Sequence, residues 1–341
     1  MSDIAREAAV SKNTVSLALR EDPQIPERTR KRIRKIAEQM GYRRNPTVAH
    51  LMAELRSQSN GLPRATIALL NVNERSDAFI KHPTIPNYVA GCRRRAERLG
   101  YGLDTFWVYD PELNEERLLR ILKTRGIRGI VLVGLMDDKQ LPEKFSGLWH
   151  HYPCVVTGVR TRAPALSFAC SDHHILTLRA FEKALELGYR RPGLVLDRGI
   201  DQLVEGRFTA GYQTGQSDRP KSRQLPPFYQ VKETGKDRKI FEMWLEKHKP
   251  DVIFTLYNDV LTWLNELGYQ VPSDIGLIQL EWRAEEPEWA GMNQHNELVG
   301  EAAIDMLVSK IHSGESGVPP YPRATLIGPT WVDGETVNQK I

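Results

Sequence analysis

The sequence predicts a small all-α module at the N-terminus followed by two α/β lobes with mostly parallel sheets. Three observations carry this reading. Residues 3–55 keep helical apolar spacing throughout. From residue 65 the pattern changes to short apolar runs alternating with amphipathic stretches, which is how βαβ units read. About 275 residues follow that change, more than one such sheet usually takes, so the body divides into two lobes.

The first helix is read at residues 3–9, with Ser2 as N-cap and Ile4, Ala5 and Ala8 on its inner face. Ser11 caps a second helix at 12–20 whose inner residues are Val15, Ala18 and Leu19. "EDPQIP" breaks the chain. A third helix starts near Glu27, carries Ile33, Ile36, Ala37 and Met40 on one stripe, and stops at Gly41. Asn45 and Pro46 then signal a fourth short helix over 47–55, with Val48, Leu51, Met52 and Leu55 apolar. "RSQSNGLPR", 56–64, has the composition of a linker. In the body, strands are expected at 65–72, 103–108, 129–135, 154–158, 192–197, 252–256 and 275–280. Helices are expected at 88–99, 115–125, 175–187, 237–248 and 298–312.

Composition narrows the function. A 40% hydrophobic and 26% charged chain is that of a globular protein. No apolar run approaches the roughly 18 residues of a membrane span, and the first residues lack the pattern of a signal peptide, so a cytoplasmic protein is expected. Cys92, Cys154 and Cys170 are too scattered for a metal site, which fits a reducing compartment. Charge is unevenly placed. Residues 1–60 hold twelve Lys/Arg against seven Asp/Glu, a net of +5, while 61–341 hold 35 against 36, a net of −1. A basic module on a near-neutral body points to a polyanion for the first and a different ligand for the second.

"VSKNTVSLALR", 10–20, shows which polyanion. Its outward positions, Lys12, Asn13, Ser16 and Arg20, carry donors and acceptors but few strong helix formers, and a solvated face is the ordinary explanation of such residues. Here a turn of a few residues joins two short helices, which is helix-turn-helix geometry, and the module is basic. Short polar groups on the second helix then fit a major groove and reach base edges and phosphates.

"DIAREAAVSKNTVSLALR" and "ERTRKRIRKIAEQMGYRRNPTVAHLM" resemble the lactose-repressor (LacI/GalR) family of bacterial transcription regulators. The likeness continues through "ERLGY", 97–101, "PDVIFTLYND", 250–259, and "LGYQVPSDIGLIQLE", 267–281. It implies a helix-turn-helix domain over 1–44, a hinge helix and linker over 45–64, and a periplasmic-binding-protein-like core of two lobes over 65–341. It further implies a homodimer on palindromic double-stranded operator DNA, with repression modulated by a small effector, a carbohydrate, held between the lobes. On the DNA side the resemblance places Lys12 and Asn13 at base-reading positions, Thr14 and Ser16 at the phosphate-contacting hydroxyls, and Leu17 where many members have Arg, with Ser11 and Arg20 as further DNA-binding candidates. A leucine there suits a thymine methyl. Asn45, Val48, Ala49 and Leu51 fall in the hinge helix, Leu51 as a minor-groove wedge, although the same apolar row would also serve to pack on the body. Two departures stand out. The family has several residues, with a capping Thr, ahead of the helix opening here at Asp3, so either the start is late or this helix is less well capped. Pro26 replaces the usual Ser cap of the third helix.

For the effector the resemblance implies Arg207, Asn258 and Glu281; Asn73, at the end of the first body strand, is a further polar candidate, and Tyr257 or Trp282 offers an aromatic face for stacking. Glu281 falls on the family's binding Asp, one methylene longer. Arg207 lies one residue out of register with the family's ligand Arg, where Phe208 stands in strict register. Trp149, Trp244, Trp263 and Trp289 read as core or cleft wall. The adjacent pairs His150–His151 and His173–His174 would point apart on a strand and are not expected to hold a metal. No cofactor is expected. A transport-type binding protein would share the body but needs a signal peptide and no basic helix-turn-helix. An α/β enzyme needs a catalytic constellation, and there is no GxGxxG, Walker A or nucleophile elbow.

Overall fold

The computed structural model describes residues 2–19, 25–40, 65–136, 140–231 and 234–340. Three helices come first: α1 (Ser2–Glu7), α2 (Lys12–Leu19) and α3 (Glu27–Gln39). They close around Ile4, Ala5, Ala8, Val15, Ala18, Ile33 and Ala37, all buried, with Val10, Leu19, Ile25 and Ile36 packed on the rim. Pro26 stands just ahead of α3, where its carbonyl accepts the N–H groups of Thr29 and Arg30, so the missing Ser cap leaves the helix start intact. The fourth helix expected over 47–55 and the linker lie outside the described residues.

The first lobe runs through β1 (Ala65–Asn71), α4 (Ala78–Lys81), α5 (Ile85–Arg98), β2 (Tyr101–Trp107), α6 (Glu115–Thr124), β3 (Ile127–Val133), α7 (Ser146–His151), β4 (Cys154–Thr157) and β5 (Ser167–Ser171). The chain crosses through α8 (His173–Glu186) to the second lobe. That lobe holds β6 (Pro192–Val195), α9 (Arg198–Leu203), α10 (Arg207–Gln216), α11 (Thr234–His248), β7 (Val252–Thr255), α12 (Asp259–Glu266), β8 (Gly276–Gln279) and β9 (Gly291–Asn293). It returns through α13 (Asn296–Ser313) to β10 (Ala324–Ile327) in the first sheet, then crosses again to β11 (Thr330–Val332) in the second. The first sheet, ordered β10-β5-β4-β3-β1-β2, is wholly parallel. The second, β11-β9-β8-β7-β6, is parallel except for the antiparallel edge strand β11.

Both faces of each sheet are covered, which explains the continuous apolar runs. On β1, Ile67 and Leu69 face one cluster with Cys92, Ala303 and Leu307, while Ala68 and Leu70 face another with Leu118, Phe145 and Trp149. The second sheet repeats this, with Leu194, Phe254 and Ile278 on one side and Val195, Ile253 and Leu277 on the other. Trp149, Trp244, Trp263 and Trp289 are all buried.

The seven expected strands are present within a residue or two, and four more were not anticipated: β5, β9, β10 and β11. β9 and β11 have only three residues each, and β10 alternates exposed and half-buried positions, so none shows a buried run. Sequence reading also passed over α9, α10 and α12. α10 contains Thr209, Gly211, Thr214 and Gly215, all weak formers, and is held by packing: a Cβ on Gly211 would meet the His174 carbonyl of α8, and one on Gly215 the ring of Phe181. The two histidine pairs lie on helices, not strands. His150 and His151 end α7, and His173 and His174 open α8.

The tightest contact in the first lobe is between α5 and α13. A Cβ on Gly91 would run into the Glu297 carbonyl oxygen, and one on Gly300 into the Tyr88 carbonyl oxygen. Because the obstacles are backbone, no side chain can move aside. We expect Gly91→Ala to destabilise the body by about 1–3 kcal/mol through overpacking, read as a lower denaturant midpoint at unchanged slope. A variant of wild-type midpoint would refute the contact.

Candidate nucleic-acid interface and inter-lobe cleft

The first site is the exposed side of α2. The turn ahead of it is closed by Ala8 N–H to Ile4 carbonyl and Val10 N–H to Ala5 carbonyl, with Ala9 in the left-handed region at φ 48°. Arg32 of α3 donates to the Ala8 carbonyl at 3.1 Å, fixing the turn to the third helix. Ser11 Oγ accepts the Thr14 N–H at 3.0 Å and lies 2.8 Å from the Thr14 hydroxyl, a capped start. Val15 and Ala18 face inward and are buried in the core of the module. Leu17 is half-buried and stands apart from the core cluster, while Ser11 is exposed. Lys12 and Asn13 sit in the first turn of α2. Arg20, Asn45, Val48, Ala49 and Leu51 lie outside the described residues. Glu27, at the start of α3, pairs with Lys31 at 2.7 Å, and this contact draws its pKa down.

The second site is the cleft where the carboxyl ends of both parallel sheets meet, the usual ligand position in open α/β sheets. Arg207 is placed by a shaped turn. Glu205 and Gly206 are both left-handed, at φ 62° and 73°, and Asp201 accepts the Thr209 N–H and hydroxyl at 3.2 and 2.6 Å, capping α10. The Arg207 guanidinium donates to the Val204 carbonyl at 2.9 Å and reaches the first lobe to touch Cys170 Sγ at 3.3 Å. Phe208, the residue in strict register, is core: it is 2% exposed with its ring 4.7 Å from His173. Arg160 lies 3.5 Å from Glu205, a second contact across the cleft, and Leu203 packs into the first lobe's core.

Glu281 follows β8 and is committed on both oxygens, one accepting from Asn296 Nδ2 at 2.9 Å and the other from Arg283 at 3.1 Å. Its charge is felt by Tyr88, whose pKa is pushed up first by burial, and by His82, whose pKa burial lowers. Trp282 is half-buried, with its backbone N–H on the Met292 carbonyl. The remaining expected residues are further out or tied up. Tyr257 faces Asp197, and burial raises its pKa. Asn258 bonds to Gln279 and Glu286 at 2.9 and 2.6 Å. Asn73, buried at the end of β1, holds the Gly134 carbonyl and the Arg75 N–H at 3.0 Å each, so it organises its loop. The cleft thus joins Arg207 with Glu281 and Trp282 and adds His82, Tyr88, Cys170, His173, Arg283 and Asn296, which sequence reading missed. Nothing in their spacing separates them from ordinary core or surface residues. Among the described residues no group of three or more His, Cys, Asp or Glu side chains could hold a metal, and no helix is long and apolar enough to cross a membrane.

The family model for lacI-family bacterial regulatory proteins matches residues 1–45. That match falls on the helix-turn-helix just described. Residues 1–45 carry the helix-turn-helix of the LacI family. A periplasmic binding protein-like domain matches residues 181–337. Among curated relatives, the HTH-type transcriptional regulator PtxS of Pseudomonas putida is 25% identical over 336 residues, covering 93% of this chain and 90% of its own. The HTH-type transcriptional repressor MelR of Bacillus subtilis is 23% identical, covering 92% and 91%. Among solved structures, the transcriptional regulator CelR–cellobiose complex superposes with a TM-score of 0.59 at 19% identity, covering 98% of both chains. The lac repressor dimer bound to operator and the anti-inducer ONPF gives 0.58 at 15%, again covering 98% of both. The chain is a DNA-binding transcription regulator with a helix-turn-helix module and a two-lobed core.

The turn before α2 makes two opposed expectations for thermal unfolding of the DNA-binding module. Ala9→Gly relieves a left-handed alanine and should stabilise it by about 0.5–1 kcal/mol, while Ser11→Ala removes the cap and should cost about 1 kcal/mol. Shifts of the opposite sign would show that the turn has a different geometry.

Proposed function

We propose that the chain is a repressor that binds a palindromic operator as a homodimer, and that a small polyhydroxylated effector, a carbohydrate, in the inter-lobe cleft changes its operator affinity. The observation that carries this is the Arg207 guanidinium, which starts in the second lobe and ends on Cys170 of the first. A ligand there touches both lobes at once, and it shifts DNA affinity by as much as it prefers one arrangement of them over the other. The domain division at 1–44, 45–64 and 65–341 follows the change from helical module to body. The chain acts in the bacterial cytoplasm, where its operator is.

On the DNA, Lys12 and Asn13 read base edges from the first turn of α2, Ser11, Thr14, Ser16 and Arg20 contact phosphates, and Leu17 touches a thymine methyl. Asn45, Val48, Ala49 and Leu51 form the hinge segment at the operator centre. One module covers a half-site, and two chains related by a two-fold axis cover a palindrome. In the cleft, Arg207, Glu281 and Trp282 hold the effector, with Tyr257, Asn258 and Asn73 shaping its walls. We read the cleft as a binding site and not a catalytic one, since Glu281 is ion-paired and Asp172 and Asp197 cap α8 and α9.

Titration of the DNA upstream of its own gene tests the first half. Lys12→Ala and Asn13→Ala should each lose about 1–3 kcal/mol of preference for that DNA over random duplex, with two chains bound per operator. Full preference in both variants, or one chain per operator, would overturn the interface. For the second half, Glu281→Ala frees Arg283 and Asn296 and should abolish the effector response while operator binding without effector persists. A normal response would move the effector site elsewhere.

A further inference from the structure

The cleft is short of acceptors and rich in buried donors. Its acids are engaged: Glu281 by Asn296 and Arg283, Glu205 by Arg160 and Arg162, Asp172 by the Ile175 N–H. Among the described residues, three buried side-chain donors there have no hydrogen-bond partner: Arg207 Nη2, Trp282 Nε1 and Arg283 Nε. His173 adds a fourth nitrogen. The residue is 5% exposed, its Nδ1 is buried without a partner, and it adjoins Arg207, whose charge joins burial in pushing its pKa down to about 3. Among the described residues, the one orphaned acceptor near this group is Gln279 Oε1, on a residue 3% exposed. Buried polar groups in native proteins are nearly always satisfied, so a set of unmatched donors describes its missing complement.

These groups form one patch. Arg207 touches Cys170, Cys170 and Glu281 both act on the Tyr88 hydroxyl, and Glu281 holds Arg283. A neutral sugar brings a donor with every hydroxyl and needs acceptors to receive it. An oxyanion brings acceptors only and suits a planar guanidinium fork. We propose that the effector of this chain is a polyol bearing an oxyanion, either a carboxylate or a phosphate ester, and that Arg207 with His173 beside it seats that group. This rests on the cleft being the effector site, and it adds the charge of the ligand.

Thermal-shift and calorimetric titration of the full chain against matched sets tests it, each set holding a neutral hexose, its aldonic acid and its 6-phosphate, with inorganic phosphate alone alongside. The acid or the 6-phosphate should bind at least about 10-fold tighter than the neutral hexose, and which of the two does so identifies the source of the oxyanion. Arg207→Gln should remove that preference, a loss of about 10- to 100-fold for the anionic ligand, and Arg207→Lys should keep part of it. Equal or tighter binding of the neutral hexose overturns the anion assignment and leaves the effector cleft standing. Saturation by inorganic phosphate alone overturns the polyol. Binding of none overturns both this inference and the effector reading.

Discussion

The close approach of α5 and α13 is the contact on which the rest of the body depends. α13 arrives from the second lobe after β9, yet it packs against α5 and against the strands of the first sheet. Without glycine at 91 and 300 the two backbones could not meet, and the inner face of β1, β3 and β4 would lose its cover. The same helix begins at Asn296, whose amide holds Glu281 in the cleft, and two residues earlier the Gln294 carbonyl accepts from Ser171 at the end of β5. One element therefore closes a core, ties the two lobes together and orients a charge where the sheets meet.

The cleft shows how a binding surface differs from a packed one. Elsewhere in the second lobe, buried groups such as Thr336, Tyr212 and Gln216 are satisfied locally: Thr336 bridges Ala290 and Leu277, Tyr212 donates to Pro192, and Gln216 accepts from Leu225. In the cleft the acids are used up and the bases are left over. Such imbalance is costly in a core that only has to be stable. It is understandable where a third molecule completes the set.

Much of this was legible in the sequence for identifiable reasons. The strands of both sheet centres are buried on both sides, so 65–72 and 252–256 read as strands from their apolar runs alone. Val15, Ala18, Ile33 and Ala37 kept helical spacing, and Ser11 capped α2 as its chemistry suggested. The edge and hinge strands were not legible, because β9 and β11 are too short to show a period and are set by their neighbours. Nor was α10, whose glycines and threonines argue against a helix until α8 is seen pressed onto it. In the cleft, Arg207 lies one residue from the family register, and only the two left-handed residues before it show which of Arg207 and Phe208 faces the opposite lobe. His173, Arg283 and Tyr88 carry no local signal, since their importance comes from three separate segments converging.

The passage from β10 to β11 is two residues long, Gly328 and Pro329, with the proline carbonyl accepting from Arg179 of α8. Two residues reach only about 7 Å at full extension, and proline fixes one of their torsions. The lobes are thus held on a short pivot that lets them turn and keeps them from parting. Whatever enters between them cannot simply widen the gap. Its bulk then has to be taken up as a rotation about that crossing, which displaces the far end of a lobe more than the end beside it.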